Sequence, residues 1–253
     1  MYVTVQLSDG LGNRFFQVHA MLGYAEKYGH TPVFVRSFLK PNPSHPGPNT
    51  IFDFFPSIPI LDTLEEYETI LEKPENVFTY TELPLYTRNV KLVGYFQSER
   101  YFPSYRVPLI NLSQKDTKPY MFLHVRRGDF CILPHHNVNL LNYYRRALIV
   151  ARQPTMPILV CSDDIEWCKT NLPKLYGDLV KTWLWEEGTD SESLYHMAQC
   201  EYGGICANST FSWWGAYFNT SPKKIMFMPG TWGYPPMPIA RDIYPKEAIP
   251  LPV

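Results

Sequence analysis

The sequence predicts a parallel α/β protein built in two halves. Apolar strand-like runs alternate with segments at helical spacing, each about 10 to 15 residues long, which is the pattern of parallel strand–helix units. Glycines or charged and small polar residues repeatedly follow the strands directly. The 253 residues are 45% apolar and 19% charged, a composition that buries a core, and a length suited to one large or two small domains.

Residues 2–7 read as the first strand. Gly10-Leu11-Gly12 breaks it, and Asn13 to Tyr28 then places Phe15, Val18, Leu22 and Ala25 on one helical face. Pro32 to Arg36 reads as a strand, Leu64 to Lys73 as a helix, and Val77 to Tyr80 and Lys91 to Gln97 as strands. The polar stretch from Asn111 to Lys118 is the expected domain boundary, dividing the chain into 1–112 and 113–253. Beyond it the expected strands are Tyr120–Val125, Ile158–Cys161, Leu179–Leu184, Gly204–Ala207 and Ile225–Met228. The helices between them are Leu140–Ala151, Asp164–Leu172, Ser191–Cys200 and Phe211–Phe218. The chain holds 24 prolines, against roughly 13 on average composition. Thirteen of them fall in Pro41–Pro59 and Pro229–Pro252, which read as ordered loops or extended tails.

Several classes are disfavoured at once. A net charge of −1 argues against a nucleic-acid binder that neutralises many phosphates. No apolar run approaches the roughly 18 residues of a membrane span. Met1 runs almost directly into the first strand with no leader pattern, so a soluble cytoplasmic protein is expected. Five cysteines without CxxC spacing point to reduced thiols rather than disulfides or zinc.

Ligands of parallel sheets bind beyond the carboxyl ends of the strands, and four clusters lie there. Asp9-Gly10-Leu11-Gly12-Asn13-Arg14 lets backbone approach an anion at a helix start, or is simply a tight turn with its cap. It lacks the third glycine of a dinucleotide fingerprint. His124-Val-Arg126-Arg127-Gly-Asp129 ends a strand with two guanidinium forks suited to a diphosphate; the plain alternative is an ion pair of Arg127 with Asp129. In Ser162-Asp163-Asp164, one aspartate caps the next helix, and the other is free for a base or ribose unless both only cap. In Asn208-Ser209-Thr210 the hydroxyls cap a helix, bind phosphate oxygens, or both, while Trp213 and Trp214 read as core. There is no GxxxxGK[ST], no GxSxG and no D-x-D triplet. His135-His136, without a third spaced ligand, reads as a polar loop.

Together these clusters resemble a known family. His124-Val-Arg-Arg-Gly-Asp129 resembles the HxRRxD motif of the alpha-1,2-fucosyltransferases, glycosyltransferase family 11. Gly10-Leu-Gly-Asn-Arg-Phe-Phe-Gln17 resembles that family's GLGNQMFQ segment, Ser162-Asp-Asp-x-x-Trp167-Cys168 its SDDxxWC stretch, and Asn208 to Ala216 its ANSSFSWWGA block. Asp9 stands where the family often has glycine and Arg14 where it often has glutamine, which bears on acceptor choice. The resemblance is to the short microbial or viral members without an anchor.

The resemblance implies a GT-B architecture of two Rossmann-like halves, acceptor side first and donor side second, with the active site in the cleft between them. It implies GDP-fucose as donor substrate, inversion at the fucose anomeric carbon, the 2-OH of galactose as acceptor, and neither metal nor cofactor. Arg126 would hold the diphosphate, with Arg127 beside it. His124 and Asp163 or Asp164 would face guanine or ribose. Ser209 and Thr210 would hold phosphate oxygens, Asn208 would belong to the donor site with them, and Gly12, Asn13 and Arg14 would line the opposite wall. Asp129, or else His136, is the candidate base. Two other readings stay open at this point: a protein O-fucosyltransferase, and a non-catalytic sugar-nucleotide or glycan-binding module.

Overall fold

The computed structural model describes residues 1–38, 51–109, 117–151 and 155–253. The expected proline-rich loop after Pro41 and the polar boundary at 111–118 lie wholly or largely outside the described residues. The chain divides into two compact units, Met1–Ile110 with Ala240–Pro245, and Asn111–Ile239 with Lys246–Val253. The expected division at 112/113 contains no such return. It is fixed locally within the first unit: Asp242 donates its N–H to Phe78 O at 2.8 Å and accepts the Tyr80 N–H at 2.7 Å.

The first unit is built on a four-stranded parallel sheet in the order β2-β1-β6-β5, with β1 Tyr2–Val5, β2 Thr31–Pro32, β5 Tyr67–Leu71 and β6 Asn89–Val93. Two further short strands, β3 Phe34–Val35 and β4 Ile60–Leu61, pair with each other. Helix α1, Leu11–Tyr28, buries Phe15, Phe16, Val18, Met21 and Leu22, and ends on Gly29 in the left-handed conformation. Helix α2 is a single turn, Ile51–Phe54.

Two expectations fail here. Leu64–Lys73 is rich in helix formers and has apolar residues at helical spacing, yet Tyr67–Leu71 is an edge strand paired in register with Asn89–Val93. Glu66 has φ of 48°, which breaks a helix before its first turn is complete. Five backbone pairings along β6 outweigh a local preference worth only tenths of a kcal/mol per residue. Val77–Tyr80 is a turn following the 3-10 segment Pro74–Asn76, not a strand.

The second unit carries a six-stranded parallel sheet in the order β12-β11-β10-β7-β8-β9. Its strands are β7 Met121–Val125, β8 Ile158–Ser162, β9 Trp183–Trp185, β10 Gly203–Ile205, β11 Ile225–Pro229 and β12 Ala248–Leu251. Between them lie α3 Leu141–Ala151, α4 Ile165–Tyr176, α5 Asp190–Gln199 and α6 Thr210–Phe218. All five residues of β7 are buried, as a central strand with covered faces requires. Leu123, Val125, Tyr143, Leu172, Ile205 and Phe227 share one core cluster, and Trp213 and Trp214 are fully buried. Strand β12 was not expected in the proline-rich tail. It sits at the sheet edge, where Pro250 opposite Met228 costs few ladder bonds. No helix among the described residues is long and apolar enough to cross a membrane.

Renumbered from β7, this sheet runs 3-2-1-4-5-6. The chain leaves β7 toward β8 and β9, then returns to its other side for β10 to β12. The order therefore reverses between β7 and β10, and the loops leaving their carboxyl ends part to form a crevice, the place where doubly wound sheets bind nucleotides.

Candidate functional site

Strand β7 carries His124 and the loop leaving it Arg126, Arg127 and Asp129 to this switch point, and the loop leaving β10 carries Asn208 and Ser209. Strand β7 and helix α6 meet where the rings of His124 and Phe211 lie 5.8 Å apart. The neighbouring loop, after β8, supplies Asp163 and Asp164.

Arg126 lies between two carboxylates. Its two terminal nitrogens reach Asp129 Oδ1 at 2.5 Å and Asp163 Oδ2 at 3.1 Å, and its guanidinium sits 5.2 Å from the Phe130 ring centre. Its Nε is buried and, among the described residues, has no hydrogen-bond partner. Arg127 is set apart: Nε bonds Asp164 Oδ2 at 2.9 Å, and the guanidinium stacks 3.9 Å above the Trp167 ring. The expected Arg127–Asp129 alternative is thus replaced by pairs of Arg126 with Asp129 and Arg127 with Asp164.

Asp164 caps α4 by accepting the Trp167 N–H at 3.2 Å. The expectation that the other aspartate is free does not hold. Asp163 accepts the Arg127 N–H at 2.8 Å while holding Arg126. This close approach requires Gly128, because a Cβ there would stand 2.5 Å from the Asp163 carboxylate. The two arginines and three aspartates thus pair with one another and carry a formal net charge of −1. Asp129 is the more exposed partner of Arg126, at 43% against 26% for Asp163, and it sits on the short 3-10 segment Gly128–Cys131.

His124, which the resemblance sets against guanine or ribose, is 4% exposed. Burial, with the Arg126 charge adding, pushes its imidazole down to about 3, so it is neutral at ordinary pH. Its Nδ1 has no hydrogen-bond partner among the described residues. Asn208 ties two segments together, its Nδ2 donating to His136 O and Trp232 O, both at 3.0 Å. Ser209 caps α6, its hydroxyl accepting the Phe211 N–H at 3.3 Å, and Thr210 is the first helical residue. The positive end of the α6 dipole therefore opens at the crevice. His136 stacks on Phe130 at 4.6 Å, and its imidazole is held below its usual value by burial and by His135. Among the described residues no group of three or more His, Cys, Asp or Glu is gathered to hold a metal ion, and all five cysteines are free thiols.

In the first unit the order reverses between β1 and β6. Gly12 and Arg14 are buried in the first turns of α1, where burial lowers the Arg14 pKa against the pull of Asp9. Asn13 Oδ1 accepts from Gln97 Nε2 at 2.8 Å, and Asp9 Oδ2 accepts the Tyr95 hydroxyl at 2.6 Å. Asp9 and Phe96 both have left-handed φ, 60° and 53°. Sequence reading missed this polar network because Tyr95 and Gln97 stand 86 and 84 positions from Asp9 and Asn13, and Glu72 stands 23 and 24 from Tyr95 and Phe96.

Glu72 anchors that turn, its two oxygens accepting the N–H groups of Tyr95 at 2.6 Å and Phe96 at 3.0 Å. Burial pushes its carboxyl up to about 7 against those bonds. A carboxyl raised in the folded state adds stability below its unfolded value of about 4.3, and that stability is lost as pH rises through 7. His19 and His124, depressed to about 3 by burial, act in the opposite sense and lose stability as pH falls below about 6.5. We expect wild type to lose about 3 kcal/mol relative to Glu72→Gln between pH 4 and pH 8. Urea unfolding at stepped pH measures this; a pH-independent difference contradicts it.

A doubly wound parallel sheet with guanidinium groups and a helix start at its switch point defines a Rossmann-like α/β protein. The chain belongs to glycosyl transferase family 11, whose family model matches residues 65–247. It is 29% identical over 164 residues to the Alpha-1,2-colitosyltransferase of Escherichia coli, covering 57% of this chain and 56% of that one. It is 37% identical over 119 residues to the O-antigen biosynthesis glycosyltransferase WbnK of Escherichia coli, covering 44% and 38%. It is 29% identical over 116 residues to Galactoside alpha-(1,2)-fucosyltransferase 1 of Homo sapiens, covering 43% and 32%. The chain thus spans about half the length, or less, of these curated relatives.

Proposed function

We propose that this glycosyltransferase moves L-fucose from GDP-fucose to the 2-OH of a terminal galactose, with inversion and without a metal ion, its two units being the halves of a GT-B enzyme. The observation that carries the reading is Arg126 at the end of β7, across the switch point from the start of α6. Glycosyl transfer develops oxocarbenium character on the sugar, while negative charge builds on the departing diphosphate. Fixed positive charge aimed at that oxygen is the most effective stabilisation available. In the proposed step the diphosphate displaces Asp129 from Arg126, and Asp163 continues to orient the guanidinium. The C1–O bond to phosphate breaks as the acceptor oxygen bonds C1, and the acceptor proton passes to a carboxylate, for which released Asp129 is the candidate.

The likeness to a colitosyltransferase favours a second reading, in which the transferred sugar is colitose. Incubation with GDP-fucose or a colitosyl donor, lactose and EDTA separates the two by the mass of the product. Chelator-resistant addition of fucose is the expected result. Transfer from the colitosyl donor alone establishes the second reading, and loss of transfer with EDTA contradicts metal independence.

A further inference from the structure

Among the described residues, the Arg126 guanidinium is held by side chains alone. Its Nε has no hydrogen-bond partner, and its two terminal nitrogens meet the carboxylates of Asp129 and Asp163. The third contact is a ring. The guanidinium carbon stands 5.2 Å from the centre of Phe130, within the roughly 6 Å over which a cation and an aromatic face attract. A flat cation over a ring face is constrained in orientation as well as in position. In the proposed transfer Asp129 leaves Arg126, so Asp163 and Phe130 are what then orient the guanidinium.

Phe130 follows Asp129 on the short 3-10 segment and is only half-buried. Its own support is His136, whose ring centre lies 4.6 Å away with the two planes 20° from parallel, a stacked pair. Burial, with His135 and the Arg126 charge adding, holds that imidazole below its usual value against the pull of Asp129. It is therefore neutral at ordinary pH and stacks without placing a second cation beside Arg126. The turn from 127 to 137 closes on itself: the N–H groups of Cys131, Leu133 and Asn137 donate to Arg127 O, Asp129 O and Leu133 O at 2.9, 3.1 and 3.0 Å. It is tied to the rest of the unit near its far end. Asn208 Nδ2 has two hydrogens and spends them on His136 O and Trp232 O, while the Tyr234 N–H donates to His135 O at 2.9 Å. Asn208 is buried, so water does not compete for these bonds.

We infer that His136 is a positioning residue: anchored by Asn208, it holds Phe130 as a fixed platform for the Arg126 guanidinium. The cation is then oriented before the donor arrives, and a site gains most from a supporting shell that does this. In this role His136 takes no proton, which sets it apart from a base. The inference rests on the preceding subsection for its consequence in turnover, and on these contacts alone for the ordering of Arg126.

Two measurements on the full chain test it. In nitrogen-15-labelled protein the buried Arg126 Nε–H, identified by its loss in Arg126→Lys, gives an NMR signal whose exchange with water reports how firmly the guanidinium is held. Phe130→Leu and His136→Ala should speed that exchange roughly tenfold or more. His136→Phe keeps a flat ring against Phe130 and should restore slow exchange, and Asn208→Ala should behave as His136→Ala does. Phe130 and His136 are only half-buried, so their variants keep the test valid if loss of Asn208 unfolds the unit. Single-turnover transfer from GDP-fucose should fall roughly tenfold or more in Phe130→Leu and His136→Ala, and His136→Phe should recover most of that loss. An unchanged Arg126 signal in Phe130→Leu and His136→Ala overturns the inference. Equal loss of transfer in His136→Ala and His136→Phe also overturns it, since a base and not a ring would then be what is missing. Absence of fucosyl transfer by wild type, with the exchange pattern as expected, counts against the catalytic reading alone.

Discussion

Replacing Arg126 with lysine should lower kcat by roughly 100-fold or more with little change in stability. The guanidinium engages Asp129 and Asp163 through two separate nitrogens at 2.5 and 3.1 Å, a two-pronged geometry that a single ammonium cannot reproduce. In the proposed step one prong passes to the leaving diphosphate, so lysine must give up either its orienting carboxylate or its ligand. One oriented electrostatic contact of this kind is worth about 3 kcal/mol in the transition state. The measurement is single-turnover transfer from GDP-fucose at saturating donor. Turnover within a few-fold of wild type would remove Arg126 from the catalytic role.

The second large effect is expected at Asp163. Asparagine keeps an acceptor for the Arg127 N–H, now bonded at 2.8 Å, but turns an amide NH2 or a weaker neutral oxygen toward Arg126. A charge-assisted bond worth about 1.5 to 3 kcal/mol is lost, so Asp163→Asn should cost roughly 10-fold or more in kcat. Because Asp163 acts through Arg126, the double variant with Arg126→Lys should be much less impaired than the product of the two losses. Multiplicative losses in that cycle would mean that Asp163 acts independently of Arg126. Asp163→Asn should also move kcat more than the KM for acceptor, which a merely structural defect would not single out.

How far the sequence alone leads depends on where the information lies. The second unit was largely legible, because its central strands β7 and β8 are buried apolar runs and the loops after them carry their polar clusters contiguously, as in 124–129 and 162–164. The gathering of Arg126, Asp163 and Ser209 at one crevice follows from strand order, to which spacing along the chain is blind. The pairing inside the cluster was misread for a related reason. Beyond Val125 the strand ends, so alternation no longer says which aspartate each arginine meets. In the first unit, the helix expected at 64–73 fails because pairing along β6 decides that segment, and only the neighbouring strand reveals it. The burial of His124, with Phe211 beside its ring, likewise comes from the sheet and not from its motif.

The most direct measurement is a crystal structure of the protein soaked with GDP. The account predicts diphosphate oxygens within hydrogen-bond distance of the Arg126 guanidinium and the first N–H groups of α6, with Asp129 displaced and Asp163 still in place. Phosphates bound away from Arg126, with the Arg126–Asp129 pair intact, would contradict it.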